Sequence, residues 1–196
     1  MNNPQTFIFF GKSGSGKGTQ AKLLGEYLEK TSERKSLFIE TGQGFRDFIN
    51  SNSHTASLTK NVLDNGGLLP VFLPVWLWTD AFIKQYDGTQ NLILDGVCRR
   101  TTEAPVLDSA LKFYNQKNPV VVYINVSDDW SFKRMKERGR KDDTDEYIKS
   151  RLSWFEWHVV PAMSYFHEHP DYTFIEVNGE QTVESVHEQI ISRLQS

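Results

Sequence analysis

The stretch from Phe7 to Gln20, FIFFGKSGSGKGTQ, combines an apolar run with four glycines and two lysines, and this combination suits phosphate binding. Gly11 and Lys17 stand in the spacing G-x-x-x-x-G-K. Backbone N–H groups over 13–19 can converge on an anion, the following helix contributes its positive dipole end, and Lys17 brings a mobile ammonium. The pattern predicts a strand, a loop and a helix that bind a nucleoside triphosphate. The residues expected to hold its phosphates are Gly14, Ser15, Gly16, Lys17, Gly18 and Thr19.

This loop departs from the commonest form of the pattern at one position. Gly18 stands where a Ser or Thr usually offers its hydroxyl to Mg²⁺, and Thr19 comes one residue later. Direct coordination of the metal by a hydroxyl is therefore not expected. A purely structural turn is the alternative interpretation of such glycines, but the full spacing with its lysine is much rarer than a glycine-rich turn.

Length, charge and cysteine content indicate which classes of protein this sequence fits. The 196 residues suit one substantial domain, and 22 Lys and Arg against 25 Asp and Glu give a net charge of −3, so no general attraction to nucleic acid or anionic lipid is expected. One cysteine, Cys98, cannot form an internal disulfide. No signal peptide and no apolar run of about 20 residues is evident. We expect a cytoplasmic protein without a membrane or nucleic-acid partner, and a monomer because no heptad seam is evident.

Alternating apolar and amphipathic segments predict an α/β fold. Strands are expected after the N-terminus at 7–10 and then at 36–40, 91–95, 120–125 and 173–177. Helices are expected at 19–30, around 46–49, and at 58–63, 74–86, 102–116, 129–137, 145–167 and 183–194. Five strands separated by helices indicate a parallel sheet, in which ligands lie beyond the carboxyl ends of the strands. Gly11, Thr41, Asp95 and Asn125 all follow strand ends.

Five motifs together resemble the adenylate kinase family. They are GKSGSGKGTQ at 11–20, TGxxxR at 41–46, GGLLP at 66–70, LDGxxR at 94–99, and RGRKDD at 138–143 with a later Arg151. The resemblance covers nearly the whole chain. It implies a P-loop NTPase fold as a single domain over 1–196, with a helical NMP-binding insertion at 42–72 and a short lid at 134–146. It also implies transfer of the γ-phosphoryl group of Mg-ATP to a nucleoside monophosphate.

The same resemblance implies roles for individual side chains. Lys17 would follow the γ-phosphate during transfer, and Asp95 would hold Mg²⁺ through water. Arginines would bind phosphates because a guanidinium can hold two oxygens at once. Arg46 and Arg99 would hold the monophosphate, Arg134 would stack on the donor adenine, and Arg138, Arg140 and Arg151 would clamp the transferring group. The other expected contacts are Gln181 for ATP, and Thr41, Gly42, Leu69, Gly96, Arg99 and Glu103 for the monophosphate.

The acids of the lid have expected roles as well. Asp142 and Asp143 could pair with the arginines, whereas Asp145 and Glu146 suit the first turn of a helix. Only Gly139 separates Arg138 from Arg140, so the lid is short. Long-lid relatives can carry a four-ligand zinc site, but this lid has no cysteine, and structural zinc is not expected.

The acceptor base is the least determined part of the prediction. Glu103 stands where the family pattern for AMP has a Gln; an ionised carboxylate only accepts hydrogen bonds, which by itself favours the two donors of guanine. Thr41-Gly42 and the leucines of 66–70 match the AMP-binding form. We expect AMP first and GMP or a pyrimidine nucleotide second. Two alternatives place Glu103 in solvent or in a pair with Arg100.

Two other departures concern the same half of the site. Gln43 stands where the family usually has Asp, and Val97-Cys98 replaces Phe-Pro, which changes the turn that leads to Arg99. Cys98 is expected to be a buried, inert thiol.

Two other functions are alternatives to a nucleoside monophosphate kinase. They are a P-loop kinase of a small hydroxylated metabolite and a non-catalytic nucleotide-binding relative.

Overall fold

The five strands are the elements that position the loops of the site. A computed structural model describes residues 4–140 and 143–195. Within these ranges the strands are β1 (Thr6–Phe10), β2 (Ser36–Glu40), β3 (Asn91–Asp95), β4 (Val120–Asn125) and β5 (Thr173–Asn178). They form one parallel sheet in the order β2-β3-β1-β4-β5. Glu40 and Phe9 both pair with Asp95, so the carboxyl ends of the three strands meet at one edge. The predicted five-stranded parallel sheet is confirmed.

Helices flank the sheet and mostly match the sequence-based prediction. They are α1 (Lys17–Ser32), α2 (Thr41–Phe48), α3 (His54–Asp64), α4 (Phe72–Gln85), α5 (Ala104–Phe113), α6 (Asp128–Arg138), α7 (Asp145–Trp154), α8 (Val160–His167) and α9 (Val183–Gln195). Helix α1 begins two residues earlier than predicted, because Gly16, at φ 93°, turns the loop directly into the helix.

The helix predicted over 145–167 is interrupted. A π-helical turn, Phe155–Val159, joins α7 to α8. Pro161 lies in the first turn of α8 and has no N–H to donate to the preceding turn, which accounts for the local change in hydrogen bonding. The chain therefore keeps a helical path through a widened turn just after the segment that carries Arg151.

Both faces of the sheet are covered by apolar side chains. Phe7 and Phe9 pack with residues of α1 and α9, whereas Ile8 and Phe10 pack on the opposite side with residues of α4, α5 and α8. The four β1 side chains are 0–2% exposed. This two-sided burial explains the continuous apolar run before the glycine loop and gives that loop a rigid base.

A third, smaller apolar cluster forms where α2 and α3 meet the start of α4. Phe45, Leu69 and Leu73 are its buried members, and Phe48 packs against them. Trp78 on α4 is fully buried, whereas Trp76 is 43% exposed beside Phe48. Within the described residues, no helix is both long and apolar enough to span a bilayer.

Candidate active site

The loop after β1 is built from tight backbone contacts. At Gly11 (φ 147°), a Cβ would lie 2.6 Å from the Ile124 carbonyl oxygen, so a larger residue does not fit. The hydroxyl of Ser131 donates to the Ser13 carbonyl at 2.5 Å and ties the loop to α6. Lys17 Nζ donates to the carbonyls of Gly11 and of Lys12 at 2.7 and 2.8 Å. The ammonium therefore lies over the loop rather than in solvent.

Lys17 and Asp95 form the charged floor of the site. Burial lowers the pKa of Lys17 to about 8, although the nearby Asp95 charge opposes this shift. Burial raises the pKa of Asp95, against the charge of Lys17. Asp95 Oδ2 lies 3.3 Å from where a Cβ of Gly18 would stand. Because Gly18 has no side chain, the carboxylate can approach the first turn of α1 closely.

Arg99 is held at the end of β3 by the loop that follows the strand. Its Nε donates to the Gly96 carbonyl at 3.1 Å and its Nη2 to Thr41 Oγ1 at 3.4 Å. Thr41 Oγ1 in turn donates to the Gly96 carbonyl at 2.6 Å. The guanidinium lies 5.7 Å from the ring centre of Trp154. This network joins α2, the β3 loop and α7 around one cation.

Arg46, on α2, lies near Arg99, since both guanidinium groups come within 3.9 Å of where a Cβ of Gly42 would stand. Its Nη2 pairs with Glu40 Oε1 at 3.1 Å, and Gln43 Oε1 accepts from both Nε and Nη2. Gln43 thus contacts Arg46 in the position where the resembling family usually has Asp. Gly42 lies directly beneath this guanidinium, since a Cβ there would be 3.4 Å from Arg46 Nη1.

The turn before α5 buries two of the residues that depart from the family pattern. Cys98 is 1% exposed at φ 65°, and burial raises the pKa of its thiol well above the usual range, so the predicted buried thiol is confirmed. Glu103 is also 1% exposed, and its Oε2 accepts from Arg99 N at 3.1 Å. The alternative that placed Glu103 in solvent is wrong. Arg100 Nη2 instead donates to the Leu68 carbonyl at 3.3 Å.

The lid arginines share one buried carboxylate. Arg138 donates to Asp143 through Nε and Nη2 at 2.7 and 2.8 Å, and Arg151 Nη1 donates to Asp143 Oδ1 at 2.9 Å. The expected pairing of Asp143 is confirmed, whereas Asp142 lies outside the described residues. Asp145 and Glu146 occupy the first turn of α7 as predicted.

One cavity of about 520 Å³ brings these groups together. The predicted residues that line it are Gly14, Gly16, Lys17, Gly18, Thr19, Thr41, Gly42, Arg46, Leu69, Asp95, Gly96, Arg99, Glu103, Arg134, Arg138, Arg140 and Arg151. Two predicted residues do not line it. Ser15 is buried within the loop, and Gln181 donates to the Asn178 carbonyl and accepts from Gln189. Gln181 nevertheless follows Gly179, which packs beside the Ser15 carbonyl.

The cavity wall also contains residues that sequence reasoning did not place in the binding site. Glu40 ends β2 at the ligand-binding edge of the sheet, and this position was a signal that could have identified it. Trp154 stands three residues after Arg151 on α7, so helical spacing places it on a nearby face. Phe155 and Val159 reach the cavity through the π-helical turn, for which the sequence pattern carried no clear signal.

The fold and the cavity define a class of protein. A glycine loop and lysine at the end of a central parallel strand can bind a triphosphate, and arginines across the same cavity can bind a second phosphorylated molecule. Cations that surround the space between two phosphates stabilise the charge that spreads over oxygens during phosphoryl transfer. The arrangement is that of a P-loop kinase with two phosphorylated substrates.

Comparison with known proteins specifies the family within that class. Residues 9–170 match the family model described as Adenylate kinase. Adenylate kinase 1 of Nostoc sp. is 32% identical over 189 residues, which cover 96% of this chain and 98% of the relative. The adenylate kinase of Mycolicibacterium smegmatis is 35% identical over 161 residues, which cover 82% of this chain and 85% of the relative. The chain belongs to the adenylate kinase family. It is a phosphotransferase, a nucleoside monophosphate kinase.

Proposed function

We propose that this enzyme transfers the γ-phosphoryl group of Mg-ATP to AMP and so forms two molecules of ADP. The observation that carries the proposal is the single cavity that joins the Lys17 loop to the pocket around Thr41 and Arg99. Both substrates can therefore meet with their phosphates between the two cations. The relatives described above bear the name adenylate kinase, which supports AMP as the acceptor.

The donor phosphates would occupy the loop at the start of α1. Backbone N–H groups of 14–19 would hold them, with Ser15 acting through its main chain because its side chain is buried in the loop. Lys17 would exchange its two carbonyl partners for phosphate oxygens. Arg134, on the cavity wall at α6, would lie against the adenine, and Gln181 would border the adenine site from the loop beside Gly179.

The acceptor monophosphate would be held by Arg46 and Arg99. Both guanidinium groups line the cavity, and the contacts of Arg99 with Thr41 and Gly96 orient its planar fork. Leu69, which is 5% exposed, would pack against the nucleoside, and Gly42 would leave room for it beside Arg46. The acceptor would then approach the donor with its phosphate oxygen directed at the γ-phosphorus.

The transfer step forms a bond from an acceptor phosphate oxygen to the γ-phosphorus and breaks the bond to the β–γ bridging oxygen. Arg138, Arg140 and Arg151 would stabilise the negative charge on the oxygens of the transferring group. Asp143 holds Arg138 and Arg151 together before substrate arrives, so these guanidinium groups need little reorganisation. Water exclusion by the surrounding walls would strengthen each of these contacts.

Asp95 would hold the magnesium ion. Its carboxylate stands against the first turn of α1, next to the room left by Gly18, and Mg²⁺ is commonly bound by one or two carboxylates together with substrate phosphates. Bound there, the ion would neutralise charge on the β- and γ-phosphate oxygens. No group of three or more His, Cys, Asp or Glu side chains in the described part of the chain is arranged to hold a metal.

Several organisational features stay predictions. The helical insertion at 42–72 and the short lid at 134–146 are proposed as the parts that cover the acceptor and donor, although 141–142 lie outside the described residues. A cytoplasmic location and a monomeric state are proposed as well.

A coupled assay with Mg-ATP and each of AMP, GMP, CMP and UMP tests the function. We expect AMP to be phosphorylated, with a Lys17→Met variant at least about a hundredfold slower in kcat because a cation is lost from the transferring phosphate. Phosphorylation of GMP alone would make guanine the acceptor, a result that the ionised form of Glu103 favours. No turnover with any of the four, together with ATP binding, would contradict the proposal and favour a non-catalytic relative.

A further inference from the structure

The Glu103 carboxyl is buried in the wall of the cavity, beside the Arg99 backbone. Phosphates bound near Lys17 and Arg99 direct the acceptor base away from them, toward walls formed by uncharged side chains. These walls are formed by Phe45, Leu63, Leu68, Leu69, Val97 and Cys98. Glu103 lines the same cavity, is 1% exposed, and has its Oε2 held by Arg99 N at 3.1 Å. Its carboxyl is therefore positioned, rather than mobile, beside the space for the base.

The two purine bases demand opposite behaviour from this carboxyl. Adenine presents an acceptor at N1 and a donor at N6, whereas guanine presents donors at N1 and N2. An ionised carboxylate only accepts, so it matches guanine and opposes adenine N1. A neutral carboxylic acid donates through its hydroxyl and accepts through its carbonyl, which matches adenine as an amide would. We propose that Glu103 selects the acceptor base by its protonation state, binding AMP as the neutral acid and GMP as the carboxylate.

The surroundings of Glu103 act on the pKa of its carboxyl in both directions. Burial raises the pKa of the carboxyl, while the hydrogen bond from Arg99 N and the charges of Arg99 and Arg100 lower it, and the net direction is upward. From the other walls, Glu40, Arg46 and Arg151 face the same cavity. A bound adenine would exclude water further and offer N1 as an acceptor, and both effects favour the neutral acid.

The proposal for Glu103 rests on the proposed function, and it links binding of the acceptor nucleotide to protonation of this carboxyl. When Glu103 is ionised in the free enzyme, binding of AMP must add one proton to this carboxyl, whereas binding of GMP adds none to it. The preference for AMP over GMP should therefore fall as pH rises through the pKa of Glu103, by up to about tenfold per pH unit. The phosphate titrations of the two nucleotides cancel in this ratio, as do those of Lys17 and of ATP.

The test measures kcat/KM for AMP and for GMP between about pH 5.5 and pH 8.5, a range that avoids titration of the bases themselves. We expect the AMP-to-GMP ratio of the wild-type enzyme to fall with rising pH. In Glu103→Gln the amide oxygen can still accept from Arg99 N, so the fold of the turn is kept. The ratio of this variant should be high and independent of pH. Glu184→Gln, on the exposed first turn of α9, is the matched control and should keep the wild-type profile.

Calorimetry supplies a readout that needs no variant. AMP and GMP binding to the wild-type enzyme at pH 8 are measured in two buffers of different ionisation enthalpy. AMP binding should take up as much as one proton more than GMP binding, because the contributions of Lys17 and of the phosphates are common to both nucleotides. A ratio that is constant with pH, or equal proton uptake on binding AMP and GMP, would overturn the proposal while leaving the monophosphate kinase reaction intact. Absence of turnover with every monophosphate would instead overturn the proposed function itself.

Discussion

Lys17 is the residue on which donor binding depends most directly. Without a triphosphate its ammonium is satisfied by two carbonyl oxygens of its own loop, and burial holds its pKa at about 8. Since a lysine with a lowered pKa loses its charge as pH rises through that value, the free enzyme contains less of the charged form above about pH 8. Binding a polyanion favours the charged form, so ATP binding is linked to protonation of this side chain.

ATP affinity should accordingly weaken above about pH 8. We expect the dissociation constant to rise by up to about tenfold per pH unit, because each binding event must recharge a neutral Lys17. Isothermal titration calorimetry with Mg-ATP from pH 7 to pH 9.5 measures this trend. A Lys17→Met variant should bind more weakly without the trend, whereas Lys117→Met, on an exposed loop, should retain it. An affinity that stays constant across the range in the wild-type enzyme would contradict the assignment.

At the scale of elements, Asp143 connects α6 to α7. Arg138 lies at the end of α6 and Arg151 lies near the end of α7, and both donate to the same carboxylate. The Asp143 side chain is 1% exposed, whereas those of Arg138 and Arg151 are 27% and 15% exposed. The hydrogen bonds therefore position two cations on the cavity wall through a buried acceptor, while the cations themselves remain accessible to substrate.

Asp143→Asn should destabilise the protein by about 1–3 kcal/mol, because it leaves two partly buried guanidinium groups without their charged acceptor. Urea unfolding measures this change. Asp145→Asn is the matched control, since its pair with Lys136 is about half exposed on both sides and should contribute less than about 1 kcal/mol. Equal effects of the two substitutions would show that Asp143 is not a structural link between the helices.

At the scale of the whole molecule, the cavity is bounded by parts of the chain that are distant in sequence. The β1 loop, α2 and the turn after β3 meet at one edge of the sheet, and α7 with its π-helical turn contributes a further wall. Trp154 lies on that wall beside Arg99, and its indole Nε1 is buried without a hydrogen-bond partner in the described part of the chain. A change in the position of Arg99 or α7 therefore changes the surroundings of this indole.

A bisubstrate analogue, in which two adenosines are joined by a phosphate chain, should change the intrinsic fluorescence of the protein. We expect the signal to arise mainly from Trp154, because ligand phosphates would draw Arg99 away from the ring and the walls would approach. When the Trp154→Phe variant is titrated with the analogue, most of the fluorescence change should be lost. Trp157→Phe should keep it, since Trp157 is 77% exposed. Retention of the full signal in Trp154→Phe would contradict this account of the wall.

The sequence by itself determined the sheet and most of the cavity lining. The spacing of Gly11 and Lys17 constrains the conformation of a short backbone segment. An apolar run such as the one before Gly11 must be buried on both sides. Both constraints are local, so they can be recognised in the sequence without a structure. They also placed Thr41 and Asp95 at one edge of the sheet, because parallel strands bring their carboxyl ends together. The arginines were identified by the resemblance to the adenylate kinase family. Segment boundaries were less certain where a proline or glycine altered the end of a helix, as at Gly16 and Pro161.

Only the tertiary structure decided which way the polar side chains turn. The sequence left Glu103 open between solvent, Arg100 and the base, and its burial in the cavity wall excluded solvent. It also left open which arginines Asp143 would join, and it did not separate Gln181 from the residues that line the cavity. The physical reason is that these orientations depend on contacts between elements far apart in the chain, whereas motif spacing and periodicity describe only neighbours along it.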